Sequence, residues 1–318
     1  MTPGVFPHAE LLALGRFLRD SGYRFTAVTP DTHESFLKKT LREDRDARDV
    51  LGWNLTFAPS QLEPRLFELM VAAGACERTS EREHRATLRC STLEGLLFFH
   101  SRFPTSDADS VFFGPDSYRF VRALRARVTK RQTYVVDIGC GAGVGGIVLA
   151  RAVGVDRLLL TDVNPAALRL AAVNAELNDV SAELALSDVL AEVKGSPELV
   201  IANPPYLADP GKRLYRDGGD RFGSELSVRM AREAAARLTE HGGRLLLYSG
   251  AAVVDGRDQL QAALEPVLSV AHATFAYEEI DPDVFGSDLA APAYRDVERI
   301  AAVLLDAAFP ARAPFPHS

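Results

Sequence analysis

The chain has 318 residues, 47% apolar and 25% charged, a composition that excludes general disorder and allows one large or two ordinary domains with a sizeable core. Its formal charge of −7 is unevenly spread: residues 1–132 carry 20 Lys and Arg against 17 Asp and Glu, and residues 133–318 carry 16 against 26, so the second part is no polyanion binder by itself. Cys76, Cys90 and Cys140 are scattered and odd in number, which argues against a disulfide framework or a metal site and fits a cytoplasmic location; neither a signal peptide nor a membrane span of ~20 apolar residues is expected.

The first ~105 residues read mainly as helices. Leu11, Leu14 and Leu18 share a helical face and Gly22 marks a stop. Asp31 to Glu34 resembles a capping signal before Phe36, Leu37 and Leu41, and Ser60 with Glu63 forms another before Leu62, Leu66, Leu69 and Met70, with Gly74 at the exit. Thr87–Leu93 and Leu96–Phe99, split by Glu94-Gly95, read as two strands. Helices followed by a hairpin suggest a small winged-helix-like module over residues 1–107. Pro104 to Ser110 reads as a linker. Arg119, Arg122, Arg125, Arg127, Lys130 and Arg131 then crowd together, and a solvated helical face is favoured there over a nucleic-acid contact.

From Tyr134 onward strands alternate with helices. Tyr134–Ile138, Arg157–Thr161, Glu183–Leu186, Leu199–Ala202 and Arg244–Tyr248 are strand candidates, with helical composition at Pro165–Asn178 and Leu226–Leu238. Late strands are expected at Ala271–Tyr277 and Arg299–Leu305, and a loose tail from Pro310. The alternation predicts an α/β fold with a mostly parallel sheet covered on both faces, over residues 108–318.

Two motifs carry the chemistry. The first is Val135-Val136-Asp137-Ile138-Gly139-Cys140-Gly141-Ala142-Gly143, in which a strand ends in an acid and opens into glycines that turn sharply and admit a ligand to the main chain. Gly141, Gly143 and Gly146 also satisfy a dinucleotide fingerprint, with Asp162 placed 21 residues after Gly141 as a ribose acid, so an NAD-dependent oxidoreductase is the rival reading. Asp137 favours S-adenosylmethionine, since a carboxylate there suits an amino-acid ammonium or its waters rather than a pyrophosphate. Asp162 is placed for both ribose hydroxyls, Asp188 for the adenine amine and Val189 for the face of the ring. Asn164-Pro165 also serves as a helix cap and first turn.

The second motif is Asn203-Pro204-Pro205-Tyr206, which closes the apolar run Glu198 to Ala202. A planar nitrogen is a poor nucleophile because its lone pair is delocalised. The Asn203 side-chain oxygen and the Pro204 carbonyl would accept its two N–H bonds, Pro204 and Pro205 would stiffen the loop, and Tyr206 would stack on the flat group.

Together these residues resemble the class I S-adenosylmethionine-dependent methyltransferases, and within them the release-factor glutamine methyltransferases (HemK-like) and the ribosomal RNA guanine-amine methyltransferases. The resemblance covers roughly residues 108–306. It implies a Rossmann-like seven-stranded sheet whose last strand runs antiparallel, with the cofactor across the strand carboxyl ends. It also places Phe112, in Val111-Phe112-Phe113-Gly114-Pro115, over the methionine or adenosine moiety. The implied activity is methylation of a planar nitrogen, with a protein glutamine amide as leading acceptor, ribosomal RNA as runner-up and a small metabolite also open. The N-terminal part matches no docking motif of the glutamine enzymes. Tyr215 to Asp220 follows the family's post-catalytic loop only loosely, so Arg216 and Asp217 are read first as a solvated turn.

Overall fold

Apolar positions three and four apart form the first helix, α1 (His8–Asp20), which buries Leu11, Leu14 and Leu18 and ends before Gly22 at φ +71°. The computed structural model describes residues 6–39 and 44–311; Leu41 and most of the expected tail after Pro310 lie outside them. Helix α2 (Pro30–Leu37) is capped by Thr29, whose hydroxyl accepts the Thr32 N–H at 3.3 Å. Asp31 therefore sits in the first turn and not at the cap. Helix α3 (Pro64–Ala72) starts at a proline already set at a helical φ, with Glu63 as its N-cap and no side-chain bond there, and Ser60 lies in the preceding 3-10 turn.

Two antiparallel pairs follow, β1 (Cys76–Arg78) with β2 (His84–Ala86), and β3 (Leu88–Leu93) with β4 (Leu96–Ser101). The β3–β4 hairpin turns at Glu94-Gly95, both at positive φ. It lies against the sheet domain rather than projecting as a wing would: Phe98 and Phe99 are fully buried.

After α4 (Pro115–Arg127) the chain alternates β5 (Gln132–Ile138), α5 (Val144–Val153), β6 (Val155–Asp162), α6 (Pro165–Leu177), β7 (Glu183–Leu186), β8 (Leu199–Ala202), α7 (Glu225–Leu238) and β9 (Gly243–Val254). The two-residue β10 (Arg257–Asp258), α8 (Gln259–Val270), β11 (Thr274–Asp281) and β12 (Arg299–Phe309) complete it. The sheet order is β11-β12-β9-β8-β5-β6-β7, with β10 hooked onto β9. Neighbours from β7 to β9 pair in parallel, while β12 runs antiparallel to both β9 and β11. This is the expected seven-strand arrangement.

Helix α8 has no counterpart in the sequence reading, because Pro266 in its interior reads as a breaker. The order reverses between β5 and β8, and an open parallel sheet leaves its crevice at such a switch point, beyond the strand carboxyl ends.

The N-terminal part is joined to the sheet domain through one continuous apolar cluster, which runs from Leu11 and Phe99 to Leu177 and Leu160. A Cβ on Gly15 of α1 would stand 2.7 Å from Leu177 on α6, so the two helices meet at glycine distance. Half of the Arg-rich segment is paired: Arg119 contacts Asp116 and Asp281, Arg127 contacts Glu278 and Arg131 contacts Asp156. Arg122 and Arg125 are exposed.

Candidate active site

The loops after β5, β6, β7 and β8 converge on a cavity of about 290 Å³. Phe112, Asp137, Gly139, Gly141, Asp162, Asp188, Val189, Asn203, Pro204, Pro205 and Tyr206 all line it. Gly143 does not. It is the N-cap of α5 at φ +78°, where a Cβ would stand 2.8 Å from Ile147, so its bare Cα serves the packing of the helix entry.

Gly141 behaves differently. Its φ is +55° and a Cβ there would meet nothing within 4 Å, which leaves its main chain open to the cavity. The Gly141 N–H donates to Asp162 Oδ2 at 2.9 Å, and the Asn164 N–H donates to Oδ1 at 2.8 Å. Both oxygens keep a lone pair for a further donor. Burial raises the Asp162 carboxyl above its ordinary range, and the N–H bonds from Asn164 and Gly141 oppose that.

Asp137, 2% exposed, accepts the Gly146 N–H at 2.8 Å and so faces the first turn of α5. Burial pushes it up to about 7; the Gly146 bond works against this and the Asp162 charge adds to it. The carboxylate expected to meet an amino-acid ammonium or its waters thus has one of its oxygens held by the helix. Asp188 is exposed and paired to Arg229 at 2.7 Å. Val189 beside it is buried at φ +52°, a costly backbone for a β-branched residue and the kind that collects at ligand sites.

Glycine main chain open to the cavity, two strand-end carboxylates and apolar side chains from Phe112 and Val189 make a donor set that fits an adenosine carrying a cationic sulfonium. Asp162 would hold the ribose hydroxyls, Asp188 with Val189 the adenine, and Gly139 to Gly141 the methionine end.

Across the cavity, Asn203 is half-buried at the end of β8, and its side chain has no hydrogen-bond partner among the described residues. The Tyr206 ring differs from expectation. It is 7% exposed and lies over Gly250, where a Cβ would fall 2.1 Å from its Cδ2, with Tyr248 and Phe285 edge-on at 6.4 and 5.8 Å. A ring held in that wall is not a face offered to an acceptor.

The segment after the motif is no solvated turn either. Asp209 is buried against Arg213 at 2.5 Å, and that pairing holds its carboxyl down at about 2. Arg216 is paired with Asp288, and Asp217 accepts the Asp209 N–H. The Leu214 N–H donates to Ala108 O at 3.1 Å and the Tyr215 hydroxyl to Thr105 O at 2.5 Å. The linker thus closes on this loop, with Phe112 and Tyr215 in near-parallel planes 5° apart.

Sequence reasoning missed Asp116, Phe285 and Tyr294. Asp116 has a local signal, an acid in the first turn after Gly114-Pro115. The two aromatics arrive on the β11–β12 connection, Phe285 against Tyr206 and the Tyr294 hydroxyl on the Ala208 N–H just past the motif, far along the chain and with no pattern to mark them.

A family model described as methyltransferase small domain matches residues 116–274. The chain is 31% identical over 271 residues to the release factor glutamine methyltransferase of Moorella thermoacetica, covering 80% of this chain and 92% of that protein. It is 36% identical over 142 residues to the protein of the same name from Lactococcus lactis, covering 40% of this chain and 52% of that one, so it spans about half of that relative's length. Over 72 residues it is 38% identical to ribosomal RNA small subunit methyltransferase C of Yersinia pestis (strain Pestoides F), covering 23% of this chain and 21% of that protein.

Proposed function

The chain belongs to the methyltransferase small domain family, alongside the release factor glutamine methyltransferases, and we propose that it methylates the side-chain amide of a glutamine in a protein. The chain is an S-adenosylmethionine-dependent methyltransferase. The observation that carries the acceptor chemistry is the Asn203 carboxamide, which lines the cavity and has no hydrogen-bond partner among the described residues.

The bound cofactor supplies an electrophilic methyl group. The protein's part is to make a poor nucleophile act. An amide nitrogen shares its lone pair with its carbonyl, so the Asn203 oxygen and the Pro204 carbonyl accept its two N–H bonds and aim the remaining lobe across the cavity. Pro204 and Pro205 lack N–H groups that would compete for those acceptors. The gain comes from dipoles fixed in position, without a strong base. The N-methyl amide retains one N–H, and one proton leaves to solvent.

Every cavity-lining residue lies at or beyond Ser110, which supports assigning acceptor selection to residues 1–107 and catalysis to residues 108–318. No described helix is long and apolar enough to cross a membrane; the cytoplasm is the compartment that fits this reading. A second reading, an exocyclic amine of ribosomal RNA, has in its favour the likeness to methyltransferase C and the exposed Arg122 and Arg125.

The test is transfer of labelled methyl from S-adenosylmethionine into a cell lysate separated into protein, RNA and small molecules. Label in protein that acid hydrolysis releases as methylamine supports the glutamine amide; label in RNA overturns it in favour of the second reading.

A further inference from the structure

The Asn203 motif supplies acceptor oxygens but no flat face on which a planar group can rest. Tyr206, the aromatic ring of the motif, is 7% exposed and turned into the wall over Gly250. A second aromatic ring reaches the cavity from the segment that follows. That segment leaves the motif and returns to it: the Leu207 N–H donates to Arg216 O at 3.2 Å, and the Gly218 N–H donates to Leu207 O at 2.8 Å. A Cβ on Gly218 would stand 2.8 Å from Pro205 O, so the returning chain lies directly against the motif. Tyr215 is the residue before this contact. It is half-buried and lines the same cavity as Asn203 and Pro204.

Its ring is fixed from the hydroxyl end. The hydroxyl donates to Thr105 O at 2.5 Å and accepts from Arg213 Nη1 at 3.3 Å, and Arg213 is itself locked to Asp209. The ring face is less occupied. Two stacked pairs in the N-terminal part, Phe36 with Trp53 and His33 with Phe103, bring their centroids to 3.7 and 4.0 Å. Phe112 and Tyr215 hold planes 5° apart with centroids at 6.2 Å, so neither ring fills the face of the other. Phe112 is seated in turn on Gly114, where a Cβ would fall 2.6 Å from its Cζ. The cations of this rim are matched within it: Lys212 with Asp217, Arg213 with Asp209 and Arg216 with Asp288. An incoming group therefore meets a flat apolar surface beside paired charges.

We propose that Tyr215 is the acceptor-binding aromatic residue of this site, and that the planar group held by Asn203 and Pro204 lies on its ring beside Phe112. This rests on the reading of the function above and adds to it the surface that sets the plane of the acceptor. Two oxygens accepting two N–H bonds leave a flat group free to rock about the line that joins them. A ring packed against the group removes that freedom, which counts toward the geometry of methyl transfer. A neutral flat group gains from an aromatic face without needing a charge. With Phe112 assigned to the methyl donor, the parallel rings set donor and acceptor side by side.

The experiment uses the full chain with Tyr215→Leu and Tyr215→Phe. It measures kcat/KM at saturating S-adenosylmethionine on the lysate fraction that accepts label, S-adenosylhomocysteine affinity by calorimetry, and thermal unfolding. Tyr215→Leu keeps bulk but loses the flat ring. It should lose about tenfold in kcat/KM, the upper end of what one aromatic stack is worth, and bind S-adenosylhomocysteine as the wild type does. Tyr215→Phe restores the ring and should recover most of that loss, although it lacks the hydroxyl that reaches Thr105. A purely structural anchor predicts another order, because both variants remove the hydroxyl and would fall together.

A wild-type kcat/KM in Tyr215→Leu, a Phe variant as slow as Leu, or a loss that follows S-adenosylhomocysteine affinity would each overturn the proposal. If Tyr215→Leu does not fold, Tyr215→Phe decides: a value near the wild type despite the lost anchor supports the ring, and a loss as large as that expected of Leu overturns it. A wild type inert toward all three lysate fractions overturns the proposed function together with this inference; an active wild type with an unaffected Tyr215→Leu overturns the inference alone.

Discussion

Asn174 and Phe99 exchange two hydrogen bonds: the Phe99 N–H donates to Asn174 Oδ1 at 2.8 Å, and Asn174 Nδ2 donates to Phe99 O at 3.0 Å. A helical side chain thereby pairs with a strand as a neighbouring strand would. Asn178, one turn on, repeats the pattern with Leu97 at 3.2 and 2.8 Å. Asn174 Nδ2 also donates to Ala142 O at 2.9 Å, inside the glycine loop. One carboxamide therefore ties the N-terminal hairpin to the glycine loop that lines the cavity.

Asn174→Ala should destabilise the chain by about 3 kcal/mol, since it leaves the Phe99 N–H, the Phe99 carbonyl and the Ala142 carbonyl buried without partners. Asn174→Asp keeps the acceptor for Phe99 N–H but loses both donor contacts, and should also fall below the wild type. Urea unfolding with an unchanged m-value checks both. Stability at the wild-type level in the Ala variant would refute the coupling.

Gly141→Val should abolish S-adenosylhomocysteine binding in calorimetry while the chain stays folded, because the new side chain would enter open cavity space from a backbone at φ +55°. Asp162→Ala should weaken the same ligand by ~1–3 kcal/mol, the cost of a buried group losing its partners. Unchanged affinity in both variants would remove the ligand from this loop.

Asn203→Ala should lower kcat by ~10²–10³-fold, taking an oxyanion-hole donor as the guide to scale, with cofactor affinity nearly unchanged. Asn203→Asp keeps the shape and the acceptors and should retain more activity than Ala. Single-turnover methyl transfer is the measurement, and wild-type rates in both variants would reduce Asn203 to a turn residue.

Asp137 gives the stability a pH signature. Its carboxyl titrates near 7 when folded, against an ordinary 3.8, so the native state holds a proton that the unfolded state has released. Stability therefore falls as pH rises from about 4 to 7 and the loss is complete above 7. Asp137→Asn is neutral throughout and keeps an acceptor for the Gly146 N–H. The difference in unfolding free energy between variant and wild type should grow in favour of Asn across that window and then level off. Asp209, held at about 2 by Arg213, acts oppositely at lower pH: the stability it adds above ~4 is lost as pH falls toward 2. A gap that stays flat from pH 4 to 8 would contradict the Asp137 assignment.

What was legible in the sequence was what local chemistry determines. Strands β7 and β8 lie where apolar runs end in loop residues, and α6 begins at the Asn164-Pro165 pair, where Asn164 accepts the Ala166 N–H at 2.9 Å. The glycine loop and the Asn203 motif face one cavity because a parallel sheet brings the ends of β5 and β8 side by side. Long-range packing was hidden. Nothing near Tyr206 says that Gly250 is bare to receive its ring, and nothing near Asp31 says that Thr29 will take the cap. The hairpin read as a wing is buried because α6 carries asparagines four residues apart, a spacing that acquires meaning only once β4 lies beside it. The separateness of residues 1–107 suggested by charge has the same limit, since charge records the surface and not the shared apolar cluster.

Because β12 runs against its neighbours, the connection from Asp281 to Arg299 leaves and returns at the rim of the cavity. Phe285 and Tyr294 on it support Tyr206 and the Ala208 N–H. The groups proposed to face the methyl donor come instead from Phe112 and the turns after β5, β6 and β7, which line the same cavity. The two ends of the reaction are thus encoded in separable stretches of chain. Insertions or replacements between residues 282 and 298 are a route by which a lineage, or an engineer, can retarget the enzyme to a differently shaped acceptor while the half that recognises the methyl donor is inherited intact.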